Sequence, residues 1–313
     1  MTRIATLALK QNELKLLIGL VLMAAMLPHR MQAAGPAPID LRSAAPFTIL
    51  ATSTTTTTGG GIINGNVGLS PAGSQGIPAG QINGVIDNGD PVAALAQLDL
   101  TAAIIAASPA KLPGGANVGA DLSGLTLVAG VYASPSGAYG LSGVLTLHGG
   151  PNDVWVFQMA STLTVNVGGK VILTGGAEAR NVFWQVGSSA TLGTSTVFVG
   201  TVMAYASITM NASSTLDGRA LAQSGAVTFN GSGGSLPTPS APFFTAISLT
   251  HTNAVVALST APYFLLTLQS SPDLATWTTI ATNTPATNIW TFTNSTTPTV
   301  ARRFYKAFLT PYP

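Results

Sequence analysis

Residues 123–230 carry a short segment that recurs with threonine at its centre: Gly-Leu-Thr-Leu at 124–127, Val-Leu-Thr-Leu at 144–147, Thr-Leu-Thr-Val at 162–165, Ser-Ala-Thr-Leu at 189–192, Ser-Ile-Thr-Met at 207–210 and Ala-Val-Thr-Phe at 226–229. The central residues are Thr126, Thr146, Thr164, Thr191, Thr209 and Thr228, spaced by 20, 18, 27, 18 and 19 residues. A near-constant period of this size marks a solenoid. Apolar residues flank each threonine in alternation, as Ile208 and Met210 do for Thr209. Alternation predicts a strand with the apolar pair on one side and the threonine on the other. A coil of about 18 residues at ~3.3 Å each is about 60 Å around, so a three-sided coil has sides of about 20 Å. Coils stacked ~4.8 Å apart would align all six threonines as one outward ladder about 25 Å tall, a face near 500 Å². The 27-residue step between Thr164 and Thr191 requires a bulged coil or an insertion.

A second series, Val131-Tyr132, Val154-Trp155-Val156-Phe157, Val182-Phe183-Trp184 and Val202-Met203-Ala204, precedes successive threonine strands. Continuous apolar runs of this kind read as a buried side of the coil. One helix is expected, from Asp90 to Ser108. Asp90 suits the N-cap, Pro91 the first turn, and Pro109 the stop. Its stripe Val92, Leu95, Leu98, Ala102 and Ile105 has Ala96 beside it, and Leu100 and Ile104 widen the apolar face. The aromatic row supplies a wall for it to cover.

The 313 residues include no Cys, 34 Gly and 20 Pro; 7% are charged and 46% hydrophobic. No disulfides hold such a chain, and the composition fits a β protein with tight turns and an uncharged polar surface. Residues 1–34 read as a secretory signal. Arg3, Lys10 and Lys15 precede the apolar run Leu16–Leu27, and Met31-Gln-Ala-Ala-Gly offers cleavage near Ala33 or Ala34. That run is short for a membrane span. Of 12 basic and 10 acidic residues, four and one lie in the signal, which leaves 8 against 9 and a net charge of −1. No basic patch remains for nucleic acid, and no stable membrane span is expected after signal removal.

Pro46 to Gly89 reads as β-rich, with the strand Phe47-Thr-Ile-Leu-Ala, a Thr run at 54–58, and Asn-Gly turns at 64, 83 and 88. Residues 232–242 are Gly/Ser- then Pro-rich and read as a linker. Residues 243–313 hold strand candidates at 245–250, 254–258, 263–269, 276–281, 289–293 and 304–309, spaced as in a small sandwich with a core of Phe264, Leu266, Trp277, Trp290 and Phe304. The stretch from Tyr263 to Trp277 resembles immunoglobulin-like or fibronectin III-like modules that end many secreted bacterial proteins. Its expected job is spacing, cell-surface attachment or partner binding.

No catalytic constellation stands out. There is no nucleophile elbow, P-loop or metal-spaced His cluster, and Gly59-Gly-Gly61 lacks the Lys-Ser/Thr of a phosphate loop. Polysaccharide lyases on β-helices use clustered carboxylates and a base. Here His148 sits at a turn, and Asp121, Asp153, Glu178 and Asp217, with Arg180 and Arg219 nearby, read as turn-capping and ion-pairing groups. The expected protein is a monomer without enzymatic activity, metal or cofactor.

The order of segments carries a resemblance. A Thr-rich β segment precedes the Asp90-Pro-Val-Ala-Ala helix. Then come Asp121-Leu-Ser-Gly-Leu-Thr-Leu, Gly130-Val-Tyr, Val156-Phe-Gln, Asn181-Val-Phe-Trp-Gln-Val-Gly-Ser-Ser-Ala-Thr-Leu-Gly-Thr and Gly218-Arg-Ala-Leu-Ala. Over roughly residues 44–231 this resembles the secreted ice-binding proteins of the DUF3494 type. The resemblance implies a discontinuous right-handed β-solenoid of triangular section, a helix alongside, and an N-terminal segment that contributes a coil out of sequence order. It also implies an ice crystal surface as the partner. The ice-contacting residues expected on that reading are Thr162, Thr164, Thr191, Thr194, Thr196, Thr209, Asn211, Ser213, Thr215, Thr228 and Asn230, with Thr52, Thr54 and Thr56 as extra rungs. The family pattern Thr-Ala/Gly-x-Thr/Asn is approached but not matched by Thr191-Leu-Gly-Thr194 and Asn211-Ala-Ser-Ser214. The alternative is a solenoid adhesin whose flat face meets a polysaccharide. Exposed aromatics would favour glycans, and a threonine face without them favours ice.

Overall fold

The computed structural model describes residues 35–231, 233–237, 241–249, 253–260, 264–287, 289–295 and 303–310. The expected signal at 1–34 lies outside the described residues. Residues 47–235 form parallel sheets of 14 and 7 strands, which divide into three columns of short strands. The first column runs Thr126–Leu127, Val144–His148, Lys170–Thr174, the start of Val197–Ala204, the start of Thr215–Ala222, Gly233–Ser235, Ile63–Asn64 and Ile82–Asn83. The second holds Gly130–Ala133, Trp155–Met159, Val182–Val186, the ends of the same two long strands, Phe47–Ala51, Asn66–Leu69 and Ile86–Asn88. The third, the threonine face, holds Tyr139–Leu141, Leu163–Val165, Ala190–Leu192, Ile208–Met210, Val227–Phe229, Thr54–Thr57 and Ser74–Gly76. The two long strands turn a corner at Gly200, whose φ is 101°. Gly218 stacks on it, and a Cβ there would collide with the Gly200 carbonyl. Only glycine fits both positions.

The stack is out of chain order. Phe47–Ala51 pairs with Thr215–Ala222 through Ile49↔Ala220 and Leu50↔Leu221, and on its other side with Asn66–Leu69. Thr54–Thr57 likewise sits between Val227–Phe229 and Ser74–Gly76. The N-terminal segment therefore extends the column that the C-terminal coil ends. Gly233–Ser235, expected as flexible linker, is a strand of the first column between Thr215–Asp217 and Ile63–Asn64. Gly234 serves close packing: a Cβ there would come within 3.2 Å of the Phe229 ring and the Thr48 methyl. Arg219 ties the two segments together. It is 5% exposed; its Nε donates to the Ala45 carbonyl at 2.8 Å and its Nη1 to Thr201 Oγ1 at 3.3 Å. Burial pushes the guanidinium down to about 10, with Asp217 opposing the shift, so it stays charged at neutral pH.

The aromatic series lies inside the coil. Tyr132, Phe157 and Trp184 stack with ring centroids 5.4 and 4.0 Å apart, and Phe198 continues the pile at 4.8 Å. The outward wall of the second column is instead Val156, Phe183, Met203, Leu221 and Leu50. Alternation along each strand separates the two sets.

The helix spans Pro91–Ala107, and Asp90 Oδ1 accepts from the Ala93 amide at 2.9 Å. It carries the chain from the Ile86–Asn88 end of the stack towards the Thr126 end. Its rotation differs from the expectation. Ala93, Ala96, Leu100, Ala103 and Ala107 face the wall, while Val92, Leu95, Leu98 and Ile105 are 54%, 53%, 69% and 50% exposed. A helix apolar all round has no preferred inner face from pattern alone. Polar tethers choose one. Gln97 Nε2 donates to the Ala222 carbonyl at 3.2 Å and Gln223 Nε2 to Thr101 Oγ1 at 3.0 Å. Asp99 accepts from the amide and hydroxyl of Ser43. Gln158 Nε2 closes the far end on the carbonyls of Ala107 and Leu112, both at 2.9 Å.

Two three-stranded antiparallel sheets follow. One orders Phe243–Leu249, Asn253–Ser259 and Ile289–Ser295; the other Thr278–Asn283, Leu265–Ser271 and Phe304–Thr310. Val256, Leu258, Leu266 and Leu268 form their core, with Phe244, Ile280, Trp290, Phe292 and Tyr305 packed on it. Trp277, expected in that core, lies outside it with the Lys306 ammonium 4.4 Å from the ring centroid. Phe304 is also outside; strand alternation gives its inner place to Tyr305.

Arg219→Ala is expected to lower stability by about 2 kcal/mol or more, because a charged donor and the pairing of a buried carbonyl are both lost. Urea unfolding measures this, and hydrogen exchange should speed up first at residues 45–51. A second outcome concerns Asp87. Burial, followed by the neighbouring Asp90, pushes its carboxyl up to about 6. The folded state thus holds a proton more tightly than the unfolded chain, so stability should fall as pH rises from about 4 to about 6. Asp87→Asn should flatten that part of a melting-temperature profile.

Candidate functional site

The threonine face is a grid of short strands. In the five three-residue strands from Tyr139–Leu141 to Val227–Phe229 the outer residues are buried and the central one points out; in Thr54–Thr57 it is Thr55 that is buried, and in Ser74–Gly76 the outer residues are exposed. Its middle column pairs Gly140↔Thr164, Thr164↔Thr191, Thr191↔Thr209, Thr209↔Thr228, Thr228↔Thr56 and Thr56↔Gly76. Five threonines therefore stand in one parallel register between two glycines. The backbone ladder continues to either side. Thr162, Ser189, Ser207 and Ala226 precede the column, linked by amide–carbonyl bonds of 2.9–3.2 Å from Leu163 to Ser189, Ala190 to Ser207 and Ile208 to Ala226. Asn166, Gly193, Asn211, Asn230 and Thr58 follow it, with the Asn211 and Asn230 amides bonded to the preceding coil at 2.9 and 2.8 Å. At the N-terminal rung Thr56 Oγ1 donates to Thr228 Oγ1 at 3.2 Å, and Thr58 Oγ1 to Asn230 Oδ1 at 3.0 Å. With ~4.8 Å between rungs and ~3.3 Å per residue, the five-threonine grid measures about 19 Å by about 13 Å.

The back of the grid is stiff. Leu163, Val165, Leu192, Ile208, Met210, Val227 and Phe229 are all buried beneath it. None of its strands contains a charged residue. Its aromatic residues, Tyr139 and Phe229, point inward, and burial pushes the Tyr139 hydroxyl up to about 12. The outward surface of these strands is uncharged and lined by hydroxyls, methyls and amides.

Of the expected residues, Thr164, Thr191, Thr209, Thr228 and Thr56 form the middle column. Thr162 and Thr54 lie beside it on one side, Asn211 and Asn230 on the other. Five do not belong. Thr196 is fully buried inside the coil. Thr215 opens a strand of the first column. Thr194 and Ser213 are exposed in corner turns, and Ser213 has a φ of 59°. Thr52 sits at the opposite corner, donating to the Gln223 carbonyl at 2.5 Å. Past each corner the period-2 pattern changes phase, so the same Thr-x-Thr spacing leads off the face. Thr126 and Thr146 share the motif yet pair with each other in the first column. Each coil has three alternating strands, and the 18 residues from Thr146 to Thr164 step between faces of one coil. Five rungs, not six, make the ladder, and one of them comes from the N-terminal insertion. Asn166, Ser189, Ser207 and Thr58 also lie on the grid, two residues before or after a central threonine. That offset is visible in sequence once the phase of each coil is known.

Elsewhere the polar groups serve turns. Asp121 accepts from the amide and hydroxyl of Ser123 at 3.0 and 2.6 Å, which holds its carboxyl below the usual range. Asp153 accepts from Gly150 at 2.9 Å, Glu178 pairs with Arg180, and His148 Nδ1 meets Thr174 Oγ1 at 3.1 Å. Among the described residues no three metal-ligating side chains come together.

A family model described as ice-binding-like matches residues 49–233. An ice-binding protein of Nostoc sp. (strain HG1) is 45% identical over 194 residues, spanning 61% of this chain and 71% of that protein. One from Colwellia sp is 33% identical over 227 residues, spanning 68% and 89%. The crystal structure of an ice-binding protein from an Antarctic biological consortium superposes with a TM-score of 0.63 at 43% identity, covering 66% of this chain and 95% of that one. That of an ice-binding protein from the Antarctic ascomycete Antarctomyces psychrotrophicus gives 0.61 at 39% identity, covering 64% and 100%.

Proposed function

The chain belongs to the ice-binding-like family, and from that premise we propose that its threonine face adsorbs to ice and slows crystal growth or recrystallisation. The observation that carries this reading is the five-threonine register, Thr164 to Thr56, four of whose rungs, Thr164 to Thr228, stand over a buried apolar layer. Each threonine hydroxyl holds a water by hydrogen bonding, and the adjacent methyl orders the water beside it. Threonine is stiff at χ1, so little side-chain freedom remains to be lost on binding. Each contact is weak, but the lattice engages many at once. An advancing ice front must then curve between adsorbed molecules, and curvature opposes growth. The absence of charge in the face's strands suits this role, because no strongly hydrated ion interrupts the ordered water. The absence of an outward aromatic on those strands weighs against a polysaccharide partner.

On this reading the protein acts by adsorption and catalyses nothing. The adsorbing domain extends from about residue 44 through Ser235, the signal is cleaved near Ala33 or Ala34, and the protein works outside the cell. The C-terminal sheets space the domain from, or attach it to, a cell surface.

Thr191→Tyr and Thr209→Tyr should each reduce thermal hysteresis about tenfold, since a ring at the centre of the grid lifts ordered water off several rungs. Melting temperature should be unchanged. Thr215→Tyr, on a different face, should leave activity intact. Full crystal shaping by both central variants would refute the assignment.

A further inference from the structure

The outward hydroxyls of the grid are of two kinds. On the inserted strand Thr54–Thr57 and the residue after it, the alternate threonines commit their protons inside the protein. Thr54 Oγ1 donates to the Ser74 carbonyl at 2.8 Å, Thr56 Oγ1 to Thr228 Oγ1 at 3.2 Å and Thr58 Oγ1 to Asn230 Oδ1 at 3.0 Å. The three lie two residues apart and share one side of the strand. The hydroxyls of Thr164, Thr191 and Thr209 meet no partner among the described residues. Thr228 accepts from Thr56, and its own proton stays free. The inserted strand also ends the threonine column, since its other neighbour sets Gly76 beside Thr56.

We propose that Thr54, Thr56 and Thr58 form a border to the ice-contacting grid: their hydroxyl protons bind the protein, and donation to lattice water falls to Thr164, Thr191, Thr209 and Thr228. The inference rests on the ice-binding reading and divides the work within that face. Every water in ice both donates and accepts, so a surface that joins the lattice needs donors as well as acceptors. A hydroxyl has one proton. Once that proton is committed to a protein oxygen, only lone pairs and the methyl face outward. For Thr56 to donate to ice it must first release Thr228, and one bond exchanged for another nets little. The border strand still presents its methyls, which order the water beside them. Backbone pairing of Thr55↔Val227, Thr56↔Thr228 and Thr57↔Phe229 keeps it in register with the next rung whether or not the side-chain bond is made.

Valine keeps the shape of threonine and removes its hydroxyl, so valine variants of the full chain read this division. Thr191→Val and Thr209→Val should each lower thermal hysteresis about fivefold, as loss of one weak hydrogen bond does, and Thr56→Val less than about twofold. All three should keep the wild-type melting temperature. Thr56→Ser, which keeps the hydroxyl and removes the methyl, should lose more activity than Thr56→Val. Hydroxyl-proton exchange, followed by NMR in ice-free solution just above freezing, gives a second readout. Thr54, Thr56 and Thr58 should exchange slowly, and Thr164, Thr191 and Thr209 fast. Equal exchange at all six overturns the proposal, as do equal losses by Thr56→Val and Thr209→Val or no loss by either. Thr191→Tyr separates the two levels of failure. If it abolishes hysteresis while the valine variants behave alike, the border alone is wrong; if it leaves hysteresis intact, the ice reading of this face falls and the border with it.

Discussion

Parallel pairing in register is the constraint on which the rest depends. When coil stacks on coil without a shift, each position inherits the same environment as its neighbours above and below. An inward residue then meets a column of inward residues, and an outward threonine meets a column of outward groups. The interior pile of Tyr132, Phe157, Trp184 and Phe198 and the exterior column of threonines are two results of one geometry. A one-residue slip would send the threonines inward and the apolar row into water. Burial of the back therefore also aligns the front.

The interruption in chain order has a physical role. The coil that ends at Val227–Phe229 presents an open strand edge, and an open edge invites pairing with another chain. Thr54–Thr57 covers it and adds a fifth threonine rung. Phe47–Ala51 does the same on the helix-bearing column. The junction is held by a buried cation on a backbone carbonyl and by the Gly233–Ser235 strand, in which Gly234 packs closely on Phe229 and Thr48. At the other end of the first coil, the bridges Ala116↔Tyr132 and Asp121↔Gly140 add a cap. The helix carries the chain along most of the second column, whose eight strands at ~4.8 Å spacing stand about 34 Å tall. At ~1.5 Å per residue its 17 residues span about 25 Å.

Polar side chains few in number decide orientation throughout. Gln97, Asp99 and Thr101 set the rotation of a helix whose apolar pattern is ambiguous, and Gln158 anchors its end. A buried polar group left without a partner costs about 1–3 kcal/mol, the same order as exposing a leucine. The tethers of Gln97, Asp99 and Thr101 act together on one side of the helix, and the apolar stripe is left facing out.

The repeat of alternating segments, the Asp90–Ser108 helix boundaries and the C-terminal strand series were legible in the amino-acid sequence, because periodicity and capping act over a few residues. So was the identity of most middle-column residues, since alternation around Thr164, Thr191, Thr209 and Thr228 is local. The sequence could not assign faces. Thr126 and Thr146 look the same as Thr164 but occupy another column, and Thr196 and Thr215 lie beyond corners that reset the phase. The inward side of the helix, the strand at Gly233–Ser235 and the N-terminal rung at Thr56 were likewise decided in the tertiary structure. Each depends on contacts between residues far apart in the chain, Arg219 with Ala45 and Gln223 with Thr101 among them, and such contacts leave no local period to read.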